Sequence, residues 1–385
     1  MEDFSFSVPQ NIIFGKLVLG KLYESAKKMG GKKGYIISGP HLKKIGLVDI
    51  CISSLQKAGI ECDEFTETEG NPSTDTVDKA VEKFRESKAD FIIAFGGGSP
   101  IDTAKAVAVL GTYGGSITDY EGVGKVPGPV VPMIAIPTTA GTGSEVTAFS
   151  VITDHKRNYK LTVGSEYLLP KTAILDPKLI TTVPAKTAAA CGVDAMVHAL
   201  EAYISLAASP FSDMMALKAL QLIGGSLRKY YKNRTDEEPA EEMLLGSLFA
   251  GIAFSHARLG NVHAMSHPVS AYFDVPHGLA NAVLLPTVVE YNETADKGKY
   301  YDIYSAIAEA PVPREAFTSH MLVDEIRSLN RQLDIPDDLS CVGVTEDKFE
   351  AMTDDAMKSG NIAVNPRVTT REDILELYRK AYKIA

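Results

Sequence analysis

Hydrophobic periodicity changes its period once along this chain, and that change limits the fold more than any single motif. Up to about Val183, short β-branched runs alternate with longer amphipathic stretches. Tyr35–Ser38, Ile60–Phe65, Phe91–Phe95, Val130–Ile136 and Ala173–Leu175 read as strands, while Leu42–Ala58 and Thr74–Ser87 space apolar residues three and four apart and read as helices. A βαβ alternation of this kind implies a mostly parallel, Rossmann-like sheet with helices on its faces. From Pro184 the strand signals stop: Ala185–Ile204, Asp213–Tyr230 and Glu241–Phe254 read as helix after helix, with Asn233–Ala240 as an exposed polar connection. The expected organisation is an α/β domain over 1–183 and an all-α domain over 184–385.

Charge and cysteine usage narrow the function classes. The 385 residues carry 39 basic and 49 acidic side chains, a net charge of -10, which gives no electrostatic reason to bind nucleic acid or an anionic membrane. Apolar runs such as Val130 to Pro137 and Ala280 to Pro286 fall well short of the roughly 20 residues of a membrane helix. The N-terminal MEDFSFSVPQ lacks the basic patch and apolar run of a secretory signal. Cys51, Cys62, Cys191 and Cys341 are far apart with no CxxC pair, so a disulfide framework or thiolate zinc site is not expected and a reducing cytoplasm is.

Two loops carry anion-binding chemistry. Phe91–Phe95 runs into Gly96-Gly97-Gly98-Ser99-Pro100 and then a helical stretch, Ile101–Leu110, that holds Asp102 and Lys105. Glycines let backbone N–H groups approach a phosphate closely and the helix N-terminus adds its positive end, although a plain tight turn uses glycine as well. A second loop, Thr138–Glu145, follows the strand ending at Ile136, and ligands of open α/β sheets settle outside the carboxyl ends of such strands. Gly15–Lys21 matches part of a P-loop, but Leu22 stands where a magnesium-binding Ser or Thr belongs and no strong strand signal leads into it. No GxGxxG opens the first βαβ unit, and GxSxG and HExxH are absent.

Five of the eight histidines, His198, His256, His263, His267 and His277, crowd into one stretch of the helical half. Asp194 and His198 are four apart, as are His263 and His267, so each pair shares a helix face. His277, between Pro276 and Gly278, sits in a loop-like setting from which it could close such a site. One carboxylate with three imidazoles would suit Fe²⁺ or Zn²⁺ with positions left for a substrate oxygen.

These residues together resemble the iron-containing (group III) alcohol dehydrogenases, related in fold to glycerol dehydrogenase and dehydroquinate synthase. The resemblance runs through Asn71-Pro72, GGGSPIDTAK at Gly96–Lys105, PTTAGTGSEVT at Pro137–Thr147, GVDAMVHALEAY at Gly192–Tyr203 and HAMSHPVSAYFDVPHGLANAVLLP at His263–Pro286. It implies metal ligation by Asp194, His198, His263 and His277, with His267 a non-ligand near the nicotinamide and a candidate proton relay. Cofactor contacts would fall on Asn71, Gly96, Gly97, Gly98, Ser99, Asp102, Thr138, Thr139, Thr142, Lys160 and Leu179, and the substrate pocket on Phe149 and Phe254. The implied enzyme is an NAD(P)-linked dehydrogenase of small aliphatic alcohols, or reductase of the aldehydes, with a dehydroquinate synthase-like fold and its active site in the interdomain cleft. It would use Fe²⁺, with Zn²⁺ in purified material, and form a homodimer or higher homo-oligomer. A dehydroquinate synthase-like lyase and a glycerol-type polyol dehydrogenase are the alternatives. Two departures stand out. His256 replaces an Asn of several relatives, and Ser38-Gly39-Pro40 replaces the acidic residue of many NAD-preferring members. Gly39 offers no carboxylate to hold a ribose diol, and His41, Lys43 and Lys44 follow it, so the expectation leans slightly to NADP.

Overall fold

The computed structural model describes Phe4, Phe6, Val8 and residues 11–383. The chain forms two compact units, one of Ser7–Thr139 with Ser144–Thr181, the other of Thr182–Ala385 with Ala140–Gly143 and Met1–Phe6.

The first unit is built on a six-stranded, all-parallel sheet. Its strands are β1 (Ile12–Phe14), β2 (Lys33–Ile37), β3 (Glu61–Phe65), β4 (Phe91–Gly96), β6 (Met133–Pro137) and β9 (Thr172–Leu175), in the order β1-β9-β6-β4-β2-β3. A smaller sheet joins β5 (Gly122–Val123) to the hairpin β7 (Phe149–Asp154) and β8 (Tyr159–Gly164). Helices α1 (Leu22–Lys28), α2 (Pro40–Lys44), α3 (Leu47–Lys57), α4 (Thr74–Ser87), α5 (Gly98–Tyr113) and α6 (Pro177–Ile180) belong to this unit.

Side chains on a strand alternate between its faces, so a sheet covered on both sides needs apolar residues at every position. The central strands meet that demand. Tyr35, Ile37, Ile92 and Ala94 join a core with Val77, Phe84 and Val107 of α4 and α5, while Ile36, Phe91, Ile93 and Phe95 join another with Leu42, Val48 and Leu55 of α2 and α3. The chain steps from β2 outward to β3, returns to β4 on the other side of β2, and then proceeds through β6 to β9. The direction of winding therefore reverses between β2 and β4, which makes the carboxyl ends of those two strands the ligand crevice of the sheet.

The second unit is helical: α7 (Ala185–Ile204), α8 (Pro210–Lys232), α9 (Glu237–Ala257), α10 (Asn261–Phe273), α11 (His277–Asn292), α12 (Lys299–Ile307), α13 (Ser319–Gln332), α14 (Phe349–Ala356) and α15 (Arg371–Tyr382). Helix α7 packs against α8, α9 and α11 and is buried on nearly all sides from Gly192 to Tyr203. Each polar residue in that stretch must therefore have an internal partner. No single described helix is long and apolar enough to cross a membrane.

The structure departs from the sequence expectations in several places, and one is His277, expected in a loop-like setting, which is the first residue of α11 after the Pro276 N-cap. Strand β1 does lead into Gly15–Lys21, whose Val18–Lys21 forms a 3₁₀ turn before α1. The hairpin β7–β8 adds two strands that were not expected. The run Leu42–Ala58 is two helices, because Gly46 adopts φ 80° and starts α3 anew. Lastly, α9 begins at Glu237, so half of the expected polar connection is helix.

Candidate functional site

In the helical unit, Asp194 and His198 project from one face of α7, and α10 and α11 bring His263 and His277 to them. The four potential ligand atoms lie within 4.8 Å of one another. From Asp194 Oδ1 the imidazole Nε2 atoms stand 3.9 Å (His198), 3.6 Å (His263) and 3.8 Å (His277) away. Asp194, His198 and His263 are buried and His277 is partly exposed.

The ring orientations can be assigned from second partners. His198 Nδ1 lies 3.2 Å from the Gly141 carbonyl and His263 Nδ1 lies 2.6 Å from Glu201 Oε2, both acceptors, so each Nδ1 carries the proton and each Nε2 presents a lone pair inward. The Asn281 amide donates to Asp194 Oδ1 at 2.6 Å and faces His263 Nε2 at 3.0 Å and His277 Nε2 at 3.2 Å, while its buried Oδ1 has no hydrogen-bond partner. The cluster is thus a ring of acceptors around a point that calls for positive charge. Such a donor set fits a divalent cation of the Fe²⁺ or Zn²⁺ kind.

The ionisable groups of the cluster are shifted by burial and by one another. Burial would raise the Asp194 carboxyl, but the imidazoles of His198, His277 and His263 hold it well below the usual range. Burial drives His198 down to about 4. It also opposes the charged form of His263, yet hydrogen bonds and charges from Asp194 and Glu201 outweigh it and lift that imidazole to about 9.

Around the cluster, the Phe254 ring stacks on His198 with centroids 4.4 Å apart. The half-buried His267 lies one helical turn beyond His263 on α10, its ring 5.1 Å from that of His277. His256 is further out and packs at 4.3 Å on Phe6.

In the sheet unit, the glycine turn and the threonine loop are neighbours because β4 and β6 pair, with Gly96 opposite Pro137. The Thr138 N–H donates to the Gly96 carbonyl at 3.0 Å. Gly96 has φ +153°, and a Cβ there would lie 2.6 Å from Pro100 Cγ, so the turn into α5 requires glycine. Gly97 is the N-cap of α5 and has no side chain to close the helix end, which leaves the amides of Gly98 and Ser99 as the helix's first donors. Gly39 follows β2 across the winding reversal from this turn.

Asp102 accepts from Ser144 Oγ at 2.6 Å and from the Val151 amide at 3.1 Å. Beside it the fully buried Lys105 Nζ donates to the carbonyls of Ser144 and Phe149, both at 2.7 Å, and to the Ser144 and Thr147 hydroxyls. Burial lowers that ammonium to about 8 and raises the neighbouring Glu145 to about 7. Asn71, in the left-handed region at φ 51°, accepts from Lys160 Nζ at 2.7 Å.

The remaining candidates have simpler surroundings. Thr139 lies against Gly97, Thr142 follows Gly141 in the loop grouped with the helical unit, Phe149 packs on Gly164, and Leu179 is a core residue of the sheet. Lys43 is held by Asp49 at 2.6 Å and Glu64 at 2.7 Å, so two carboxylates already balance its charge. Sequence reasoning passed over Glu201 and Asn281. Both had a signal, since each is a polar residue in an apolar helical run, at helical spacing from a ligand candidate.

Comparison with known proteins accounts for both halves. Residues 9–177 match the family model described as iron-containing alcohol dehydrogenase, and residues 188–382 match the C-terminal model of the same family. The 1,3-propanediol dehydrogenase of Citrobacter freundii is 37% identical over 382 residues, 98% of this chain and 99% of that one. The NAD-dependent methanol dehydrogenase of Bacillus methanolicus is 34% identical over 378 residues, 98% and 99% of the two chains. Among solved structures, the alcohol dehydrogenase from Oenococcus oeni superposes with a TM-score of 0.94 at 34% identity, covering 99% of this chain and 100% of that one. With both halves matched and full-length relatives above 30% identity, the chain belongs to the iron-containing alcohol dehydrogenase family.

Proposed function

We propose that this chain oxidises small aliphatic alcohols, and reduces the corresponding aldehydes, with a nicotinamide dinucleotide as hydride carrier and a divalent ion, Fe²⁺ in the cell, held by Asp194, His198, His263 and His277. The carrying observation is the largely buried convergence of one carboxylate and three imidazoles, with the outward Nδ1 atoms of His198 and His263 facing acceptors and the Asn281 NH₂ facing Asp194, His263 and His277. When bound, the ion supplies the Lewis acidity that favours loss of the alcohol's proton. The chain's own residues position and enclose. Phe254, stacked on His198, makes an apolar wall that favours an aliphatic substrate, and Phe149 is the other candidate for contact with the substrate. The half-buried His267 takes the released proton outward.

The dinucleotide diphosphate rests on the amides of the Gly96–Ser99 turn, flanked by Thr138, Thr139 and Thr142. Asp102, Asn71, Lys160 and Leu179 shape the cradle, and Gly39 faces the adenosine ribose. With no carboxylate at position 39, NADP(H) is accepted at least as well as NAD(H), although Lys43 is already paired and contributes little to that preference. Zn²⁺ competes for the same donors because it stands above Fe²⁺ in affinity for such sites. Residues 1–183 carry the dinucleotide and 184–385 the ion, and the enzyme works in the cytoplasm as a homo-oligomer.

The test is absorbance at 340 nm with iron-loaded protein, a panel of short alcohols, diols and aldehydes, and both cofactors. Alcohol-dependent cofactor reduction with at least one panel member is expected. No turnover with any member in either direction would overturn the proposal.

A further inference from the structure

Helix α10, which delivers His263, begins without a cap of its own. Its N-cap is Gly260, which has no side chain to accept the first free N–H groups. The acceptor comes instead from α7. Glu201 lies seven residues after Asp194 and three after His198, on the same face of that helix. Its Oε1 accepts the Val262 N–H at 2.7 Å and its Oε2 stands 2.6 Å from His263 Nδ1. Glu201 is 3% exposed and His263 1%. The chain comes close to reach this carboxylate: a Cβ on Gly260 would lie 3.0 Å from Glu201 Oε1 and 3.0 Å from Asn365 Oδ1, the latter accepting the Asn261 N–H at 3.3 Å.

One carboxylate therefore fixes both the start of the helix and the state of the ring that the helix carries. An ionised carboxylate can only accept, so Nδ1 must hold a proton, and in the neutral ring Nε2 then turns its lone pair into the cluster, where the Asn281 NH₂ faces it at 3.0 Å. Asp194 and Glu201 together also bring two negative charges into the buried cluster, which a divalent cation balances.

We infer that Glu201 is a positioning residue of the metal centre, setting the tautomer and aim of His263, a role that rests on the metal-binding reading above. A partner on the far side of a ligating imidazole typically matters 10–100-fold in metal affinity.

Glu201→Gln separates the two duties of the side chain. Its carbonyl can still cap Val262, but its NH₂ then faces His263 Nδ1, which must accept, and the ring proton moves to Nε2, where it blocks ligation. Two measurements on the full chain decide the matter: Co²⁺ affinity by chelator competition, and ¹⁵N imidazole spectra of the metal-stripped protein taken above the His263 titration, where the ring carries a single proton. The expectation is a 10–100-fold weaker Co²⁺ affinity and a His263 signal that changes from the Nδ1–H to the Nε2–H form, with melting of the stripped protein shifted by only a few degrees. If Glu201→Gln does not fold, Glu201→Asp takes its place: it keeps the charge but withdraws it by one methylene, and at least several-fold weaker Co²⁺ binding is expected. Co²⁺ affinity within twofold of wild type in the variant, or an unchanged His263 tautomer, overturns the inference. A wild type that binds no Co²⁺ overturns the underlying metal reading instead.

Discussion

Lys105→Met replaces a fully buried ammonium by a side chain of similar length that has no donor. In the native unit Nζ reaches four oxygens: the Ser144 and Phe149 carbonyls at 2.7 Å, Ser144 Oγ at 2.9 Å and Thr147 Oγ1 at 3.1 Å. The hydroxyls keep other partners, since Ser144 Oγ donates to Asp102 and Thr147 Oγ1 to the Ser144 carbonyl. The Ser144 carbonyl keeps Thr147 as a donor, so the loss falls mainly on the Phe149 carbonyl, at roughly 1–3 kcal/mol for a buried acceptor left short, and on Asp102, which keeps its carboxylate among buried neighbours without the adjacent cation. The sum is about 3–5 kcal/mol, the usual consequence of breaking a buried charged pair from one side. At about 2–4 °C per kcal/mol for a unit of this size, the melting temperature should fall by roughly 6–20 °C. Because Lys105 ties residues 144–149 to the helix that starts at the glycine turn, dinucleotide affinity should fall as well. The chain has no Trp, so circular dichroism in urea and by temperature is the suitable probe, with cofactor titration alongside. A variant that melts within about 2 °C of wild type and binds dinucleotide equally would refute the view that this ammonium organises the site.

Three further outcomes are expected. His263 must be neutral to ligate, and its imidazole is lifted to about 9, so protons compete with metal throughout the neutral range. Metal affinity by chelator competition should therefore rise about tenfold per pH unit from 6 to 8, and a flat profile would contradict this. Gly96→Ala, forced by φ +153° and by a Cβ 2.6 Å from Pro100, should weaken dinucleotide binding tenfold or more while leaving metal content intact; equal cofactor affinity would return the turn to a plain structural role. Gly39→Asp should move the kcat/KM ratio toward NAD by about tenfold or more, equivalent to ~1.4 kcal/mol, and a wild type already preferring NAD tenfold would show that another residue reads the ribose.

Much of this molecule was legible in its sequence, for identifiable reasons. Helix α4 spans Thr74–Ser87 as its periodicity implies, with Ser73 as a capping residue that accepts from the Thr76 amide, and α7 spans Ala185–Ile204. Long amphipathic or uniformly apolar segments carry their own signal. Strand β1 has three residues, too few to show a period of two, and its place at the sheet edge beside β9 is a pairing across more than 150 residues that no local pattern encodes. The break at Gly46 was hidden inside a helical run where glycine is tolerated.

At the site, i,i+4 spacing did relate Asp194 to His198, but only the fold shows His263 and His277 arriving from two other helices. The basic run after Gly39 illustrates the opposite error. Composition made Lys43 look available to a phosphate, whereas the folded surface sets Glu64, from the neighbouring strand, against it. Lys105 likewise gives no hint in sequence that its partners lie about forty residues on.

If the Asp194, His198, His263 and His277 cluster holds the ion on which alcohol oxidation depends, metal and activity must be lost together when one ligand is removed. Bound metal and alcohol-dependent absorbance at 340 nm, measured in the same samples of wild type and His263→Ala, decide this. Stoichiometric metal with activity in the wild type, and loss of both in the variant with folding preserved, is the expected result. A folded His263→Ala protein that retains its full metal content, or turns over alcohol at the wild-type rate, would contradict it.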